Sequence, residues 1–163
     1  ASLLKQIEKM TDGQVLYDAA KDEFYLKKGN SKQEFNLVAE GIKKMGLLWL
    51  LAKNGTLEKG SILFWDEPEA NINPAYLSVV AELLLELQRN DVQIFISTHN
   101  YFLAKYLEIK KRKDDKVSYY SLYLANEKYV CCENSDDFTL LENNPITETY
   151  LQIYRDELGV KLS

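Results

Sequence analysis

The stretch ILFWDEPEANINP, Ile62 to Pro74, decides how the rest of the chain is read. Ser61 to Trp65 is apolar without alternation, bounded by Gly60 on one side and by Asp66 and Glu67 on the other. Apolarity on both faces marks a central parallel strand, which helices cover from both sides. Pro74 opens a helix with Leu77, Val80, Ala81, Leu84 and Leu87 along one face, and proline suits a first turn because its missing N–H is not needed there. Asn90-Asp91 ends that helix. Val92 to Ser97, VQIFIS, is a second strand of the buried type, followed by Thr98-His99-Asn100 and a helical stretch from Tyr101 to about Lys111. Strand, helix, strand, helix with short connections predicts an α/β fold with a parallel central sheet flanked by helices.

Upstream, Leu3, Leu4, Ile7 and Met10 have helical spacing and stop at Thr11-Asp12-Gly13. Gln14–Tyr17 and Glu23–Lys27, rich in Val, Tyr and Phe around a polar loop, read as a β-hairpin that ends at Gly29-Asn30-Ser31. From Glu40 to Lys53 the residues Ile42, Met45, Trp49 and Ala52 recur at helix period, and Asn54-Gly55 closes the pattern. Downstream, Val117–Ala125 and Lys128–Glu133 form a hairpin turning at Asn126-Glu127, and Pro145–Leu158 supplies a last helix. No repeat or linker divides the chain, so residues 1–163 are expected to form one domain.

Composition narrows the function. The chain has 163 residues with 20 basic and 25 acidic side chains, a net charge of −5 that argues against a nucleic-acid binder by bulk charge. Met45 to Ala52 is the longest apolar stretch, far short of the ~18 residues of a membrane span. ASLLKQIEKM lacks a signal-peptide core, so the expected compartment is the cytoplasm. Cys131 and Cys132 are adjacent and point to opposite faces of an extended segment, which disfavours a disulfide or a metal pair. Asn54-Gly55-Thr56 matches a glycosylation acceptor but reads as a turn. Lys110 to Lys113 with Lys116 could touch nucleic-acid phosphates, but Asp114 and Asp115 dilute the cluster and cations suit a helix C-terminus in any case. Tyr119-Tyr120-Ser121-Leu122-Tyr123 could stack on bases, and equally could alternate between a packed and an exposed strand face.

The chemistry gathers at the strand ends. Asp66 and Glu67 emerge where the first strand finishes, the place where open α/β sheets bind ligands. An Asp there can hold Mg²⁺, usually through water, and the next Glu can accept a proton from a water attacking a phosphate. Taken alone, the pair reads more readily as the cap of the following turn. His99, the single histidine, stands at the end of the neighbouring strand, where it can reach the same ligand as Glu67. Asn71-Ile72-Asn73-Pro74 is compact and polar, although Asn73 before Pro74 would serve unaided as a helix cap. Val38 to Lys44 places Gly41 and the basic Lys43 and Lys44 at a helix start whose free N–H groups suit an anion.

As a set these segments, over about residues 35 to 110, resemble the ABC-type ATPases, in particular the non-transporter, AAA-labelled branch similar to the RecF, SMC and OLD-like families. Ile62–Glu67 matches the Walker B strand, Ala70–Pro74 the D-loop, Ser97–His99 the H-switch, and Ala39–Lys43 falls where the signature motif belongs. The resemblance implies that Asp66 binds Mg²⁺ through water, that Glu67 orients or deprotonates the hydrolytic water, and that His99 contacts the γ-phosphate of ATP. It places Asn71 and Asn73 at the interface between two heads, and Gly41 with Lys43 against the nucleotide held by the other head. The signature departs from the family pattern: Ala39 replaces the expected serine and Glu40 the first glycine.

A Gly-x-x-x-x-Gly-Lys-[Ser/Thr] phosphate loop is missing from the sequence. The resemblance then implies the C-terminal lobe of a longer ATPase, whose P-loop lies in an N-terminal lobe and whose second head closes a homodimer. Its cargo, nucleic acid included, would be supplied by regions outside this chain. Without the backbone cradle and its lysine, Mg-ATP loses its main electrostatic partners, so this chain alone is expected not to hydrolyse ATP. Two rival readings are a non-catalytic module that pairs with a P-loop-bearing chain, and a nuclease-like metal site at Asp66, Glu67 and Glu69. Pro68, which turns the chain after Glu67, counts against the latter.

Overall fold

The computed structural model describes residues 5, 7–8, 12–18, 20–21, 23–34, 39–126 and 128–159. They belong to two compact units, Ala1–Thr98 and His99–Ser163.

In the first unit Lys5, Ile7 and Glu8 are helical, with Ile7 fully buried; Leu3, Leu4 and Met10 of the expected first helix lie outside the described residues. Strands β1 (Gln14–Asp18) and β2 (Glu23–Lys28) pair antiparallel, Val15 opposite Leu26, and both of these side chains are buried. Gly29-Asn30 does not end this unit as expected. It makes a two-residue turn, with Gly29 at φ +54°, into a third strand, β3 (Ser31–Glu34). Every residue of β3, Ser-Lys-Gln-Glu, is exposed, so no apolar alternation announces it; pairing with β2 alone defines it.

Helix α1 (Glu40–Lys53) follows the expected bounds and buries Gly41, Met45, Leu48 and Trp49, one face at helical spacing. Asn54 ends it by donating its N–H to the Leu50 carbonyl, and its side chain accepts from Thr56 N at 3.0 Å, the turn expected at this triplet. Strands β4 (Ile62–Asp66) and β5 (Gln93–Ser97) pair in parallel, Ile62 opposite Gln93 and Asp66 opposite Ser97. Between them Asn73 caps a single 3₁₀ turn, Pro74–Tyr76, that runs into α2 (Leu77–Arg89). This helix packs on β5 and buries Leu77, Val80, Ala81, Leu83, Leu84, Leu85 and Leu87.

Among the described residues, the expected cover of helices on both faces of these strands is seen on one face. Leu63, Trp65, Ile94 and Ile96 are half-buried, but Ile62, Phe64 and Phe95 on the opposite face are 58%, 75% and 47% exposed. The two phenylalanines stack on each other with ring centroids 4.9 Å apart. The continuous apolar run therefore belongs to a strand pair that is apolar on two faces and covered on one.

In the second unit Asn100 caps α3 (Tyr101–Lys110) by accepting from Leu103 N. Strands β6 (Tyr119–Ala125) and β7 (Tyr129–Ser135) form the expected hairpin, with Leu122 opposite Cys132 and Tyr123 opposite Cys131. The two cysteines are free thiols on opposite faces. The tyrosines alternate as a packed and an exposed face: Ser121 is buried, whereas Tyr120, Leu122 and Leu124 are exposed. Glu108 of α3 accepts from Phe138 N and from Lys111 Nζ, each at 2.9 Å. Lys111 also donates to the Asp136 carbonyl, so part of the basic cluster holds the fold together. Beside Glu108, burial pushes the Tyr119 hydroxyl above its usual range, and the carboxylate charge adds to the shift. Helix α4 (Pro145–Glu157) has no buried residue and is fastened through Tyr150, whose ring stacks on Tyr101 at 4.0 Å.

The two faces of the β4–β5 pair differ in energetic weight. Leu83→Ala, from the covered side, is expected to cost about 2–5 kcal/mol in urea unfolding. Phe64→Ser on the bare face should cost less than about 1.5 kcal/mol, chiefly the lost ring contact. Equal losses would mean that Phe64 is buried in solution.

Candidate functional site

The parallel register of β4 and β5 brings two of the expected motifs to one end of the sheet. Asp66 closes β4 opposite Ser97, and the serine hydroxyl donates to Asp66 Oδ1. Asp66 is exposed, and its Oδ2 has no partner among the described residues. One residue on, Glu67 donates its N–H to the Ser97 carbonyl at 2.9 Å, which carries the ladder one step past the strand.

Glu67 then leaves β geometry, with φ at +45°. A left-handed conformation costs a residue with a side chain roughly 1–2 kcal/mol, so neighbouring contacts must hold it there. Its carbonyl accepts two donors, Ala70 N across the turn and Lys44 Nζ from α1, each at 3.0 Å. Pro68 and Glu69 are buried in the same turn. The Glu69 Oε1 accepts from Thr98 Oγ1 at 2.5 Å, whereas Oε2 is buried with no hydrogen-bond partner among the described residues. Asn71 is the second left-handed residue of the loop, at φ +63°. Asn71 and Asn73 are both exposed, and Asn73 accepts from Ala75 N at 3.0 Å.

Gly41 is buried at the start of α1, and a methyl group in place of its hydrogen would collide with the Asn71 carbonyl oxygen. The glycine is thus required by the close approach of α1 to the loop. Lys43 is engaged with Glu40 at 2.7 Å one turn along the exposed side of α1. Asp66, Glu67, Asn71, Asn73, Gly41 and Lys43 all lie in the first unit. His99 begins the second, where it lines a shallow cleft of about 370 Å³ with Tyr101, Pro145, Ile146, Thr149, Tyr150 and Ile153.

Sequence reasoning missed the contacts of three residues of this arrangement. Lys44 was visible only as one of two lysines at a helix start, and nothing in the spacing favoured it over Lys43. Glu69 was read only as the third carboxylate of a nuclease-like metal site and Thr98 only as part of Ser97–His99, whereas their bond spans 29 positions and follows only from the parallel register.

A parallel strand pair with a carboxylate pair at the end of one strand and a hydroxyl run leading to histidine at the end of the next puts ligand chemistry at the carboxyl ends of an open α/β sheet. The chain belongs to the family described as "AAA domain, putative AbiEii toxin, Type IV TA system", whose profile matches residues 4–105. Solved SMC-type ATPases share the fold. One, from a study titled as the structural biochemistry of ATP-driven dimerization and DNA stimulated activation of SMC ATPases, is 12% identical with a TM-score of 0.56, over 99% of this chain and 96% of that one. An SmcHead bound to the C-winged helix domain of ScpA is 12% identical with a TM-score of 0.59, over 82% of this chain. The Smc head domain with an extended coiled coil, bound to the C-terminal domain of ScpA derived from Pyrococcus furiosus, is 11% identical with a TM-score of 0.56, over 95% of this chain. The chain spans only 42% and 37% of those two head chains. No curated protein matches the sequence. The resemblance to ABC-type, SMC-like ATPases is thus borne out in fold and family. Among the described residues no helix is long and apolar enough to cross a membrane.

The Thr98–Glu69 bond gives a direct test of the turn. Thr98→Val keeps the side-chain shape and leaves the buried Glu69 carboxylate without its hydrogen bond, at an expected cost of about 1–3 kcal/mol. Thr98→Ser should retain most of the stability. Urea midpoints that fail to separate valine from serine would show that the bond contributes nothing.

Proposed function

We propose that this chain is the C-terminal part of an ATPase head that binds and hydrolyses ATP with Mg²⁺, and that a P-loop-bearing lobe completes it by covering the Ile62, Phe64 and Phe95 face. The observation that carries the reading is the parallel register of β4 and β5, which sets Asp66 and Glu67 at the same sheet end as the Ser97–Thr98 step before His99. Three further facts support the missing lobe. The sequence has no P-loop, a parallel strand pair is apolar yet bare on one face, and two related head chains hold more than twice the length aligned here.

In this reading Asp66 holds Mg²⁺ through water, and the arrangement fits: an exposed carboxylate has one oxygen fixed by a serine hydroxyl and the other unengaged. When bound, the ion would neutralise charge on the phosphates. Glu67 orients or deprotonates the attacking water, and His99 donates to the γ-phosphate. Asn71 and Asn73, both exposed, face a second head, and Gly41 with the α1 N-terminus and Lys43 meets the nucleotide of that head. Hydrolysis then resets a clamp of two heads.

Calorimetry with Mg-ATP tests the assignment. This chain alone should bind weakly and release no phosphate, whereas the chain supplied with a P-loop-bearing lobe of the same protein should bind and turn ATP over. Glu67→Gln should then abolish turnover while preserving binding. Tight binding by the 163 residues alone would refute the need for the second lobe. Turnover that survives Glu67→Gln would refute the catalytic assignment.

A further inference from the structure

Two residues with side chains in the Asp66–Pro74 segment adopt left-handed backbone, Glu67 at φ +45° and Asn71 at φ +63°, and α1 touches both. The Cα of Gly41 packs against the Asn71 carbonyl so closely that no side chain fits between them. One turn along the helix, the Lys44 ammonium donates to the Glu67 carbonyl at 3.0 Å in a partly buried setting. That carbonyl is also the acceptor of the Ala70 N–H, so removing Lys44 leaves the turn closed and takes away the grip from α1 alone. Lys43, its neighbour, is turned aside to Glu40. The contacts thus fall on the two positions where the loop backbone is least able to hold itself.

We propose that Lys44 is a positioning residue for Glu67, and that through it α1 transmits what happens at its own N-terminus to the residue carrying the proposed catalytic carboxylate. The inference rests on the ATPase reading for its consequence, but its physical core needs no nucleotide. Glu67 is held by its N–H to β5 and by its carbonyl to α1 and to Ala70 N, so a displacement of α1 turns the peptide that follows Glu67 and shifts the backbone angles from which its side chain projects. A group binding at Gly41 moves Lys44 with the same rigid helix. An ammonium is suited to the task, because a charged donor to a carbonyl is stronger than a neutral one and three protons on a flexible stem keep contact as the helix shifts.

The test is carried out on this chain first, without nucleotide. Backbone ¹³C shifts distinguish left-handed from right-handed residues, so the Glu67 Cα and carbonyl resonances report its conformation directly. Lys44→Met should move them toward averaged values, Lys44→Arg should restore them, and Lys59→Met, which removes a surface ion pair with Asp91, should leave them in place. Lys44→Gln, a neutral donor one bond shorter, should fall between and serves if the methionine variant unfolds. Glu67 resonances that stay fixed in both Lys44→Met and Lys44→Gln would overturn the proposal.

With the P-loop-bearing lobe supplied, Lys44→Met should lower kcat about 10- to 100-fold, the usual effect of a misplaced catalytic group, at unchanged KM for ATP, and arginine should restore it. A loss confined to KM would also overturn the positioning role. Should the resonances respond as expected while the unaltered protein with its lobe hydrolyses nothing, the ATPase reading fails and the mechanical link between Lys44 and Glu67 stands.

Discussion

The hydrogen bond from the Glu67 N–H to the Ser97 carbonyl is the hinge of the molecule. It is the last rung of the parallel ladder, and it continues the register by which Asp66 meets Ser97. A slip of one residue would turn Asp66 away from Ser97 and send Phe64 to the covered side, since alternate side chains face opposite ways. Everything that follows in the loop depends on that rung. The left-handed turn at Glu67, the burial of Glu69 beneath it and the approach of α1 at Asn71 are all consequences of where β4 stops.

The strand pair is held from one side. Helix α2 carries the larger share of the first unit's buried leucines, so the covered face has enough apolar surface to order the strands without help. The other face offers Ile62, Phe64 and Phe95 to solvent, side chains whose full burial is worth roughly 1.5–3 kcal/mol each. Those residues are also where β-branched and aromatic side chains favour extended structure, so the sequence keeps its strand propensity while its burial is incomplete. A lobe docking there would gain affinity from surface that is already flat and stacked, with little side-chain ordering still to be done.

What could be read in the sequence follows from the range of each signal. The helix at Glu40–Lys53 was legible to the residue, because apolar spacing and a terminal cap are local properties, and the last helix ends one residue short of the expected Leu158. Apolar runs marked β4 and β5 as strands, and their carboxyl ends marked Asp66, Glu67 and His99 as candidates. The polar strand β3 had no such pattern, since pairing with β2 is the only thing that makes it a strand. Whether an apolar face is covered is likewise a property of the neighbours, and the run ILFW is the same whether one helix layer or two lie against it. Lys44, Glu69 and Thr98 escaped for a related reason, because each matters through a contact with a distant segment.

Gly41 shows how one position can satisfy two demands. Read from sequence, it is a glycine at a helix start where an anion could approach the free N–H groups. In the fold, its inner side is already committed to the Asn71 carbonyl, and no side chain fits. The two demands are compatible because they act on opposite sides of the same backbone: one brings the helix against the loop, and the other leaves its end open. A larger residue would push α1 from the loop, and the Lys44 ammonium would be drawn off the Glu67 carbonyl with it. Ala39 and Glu40, which stand where the resemblance expects a serine and a first glycine, are both exposed and leave the inner contact untouched. The glycine at this helix start is therefore the residue that lets α1 close on the Asp66–Pro74 loop.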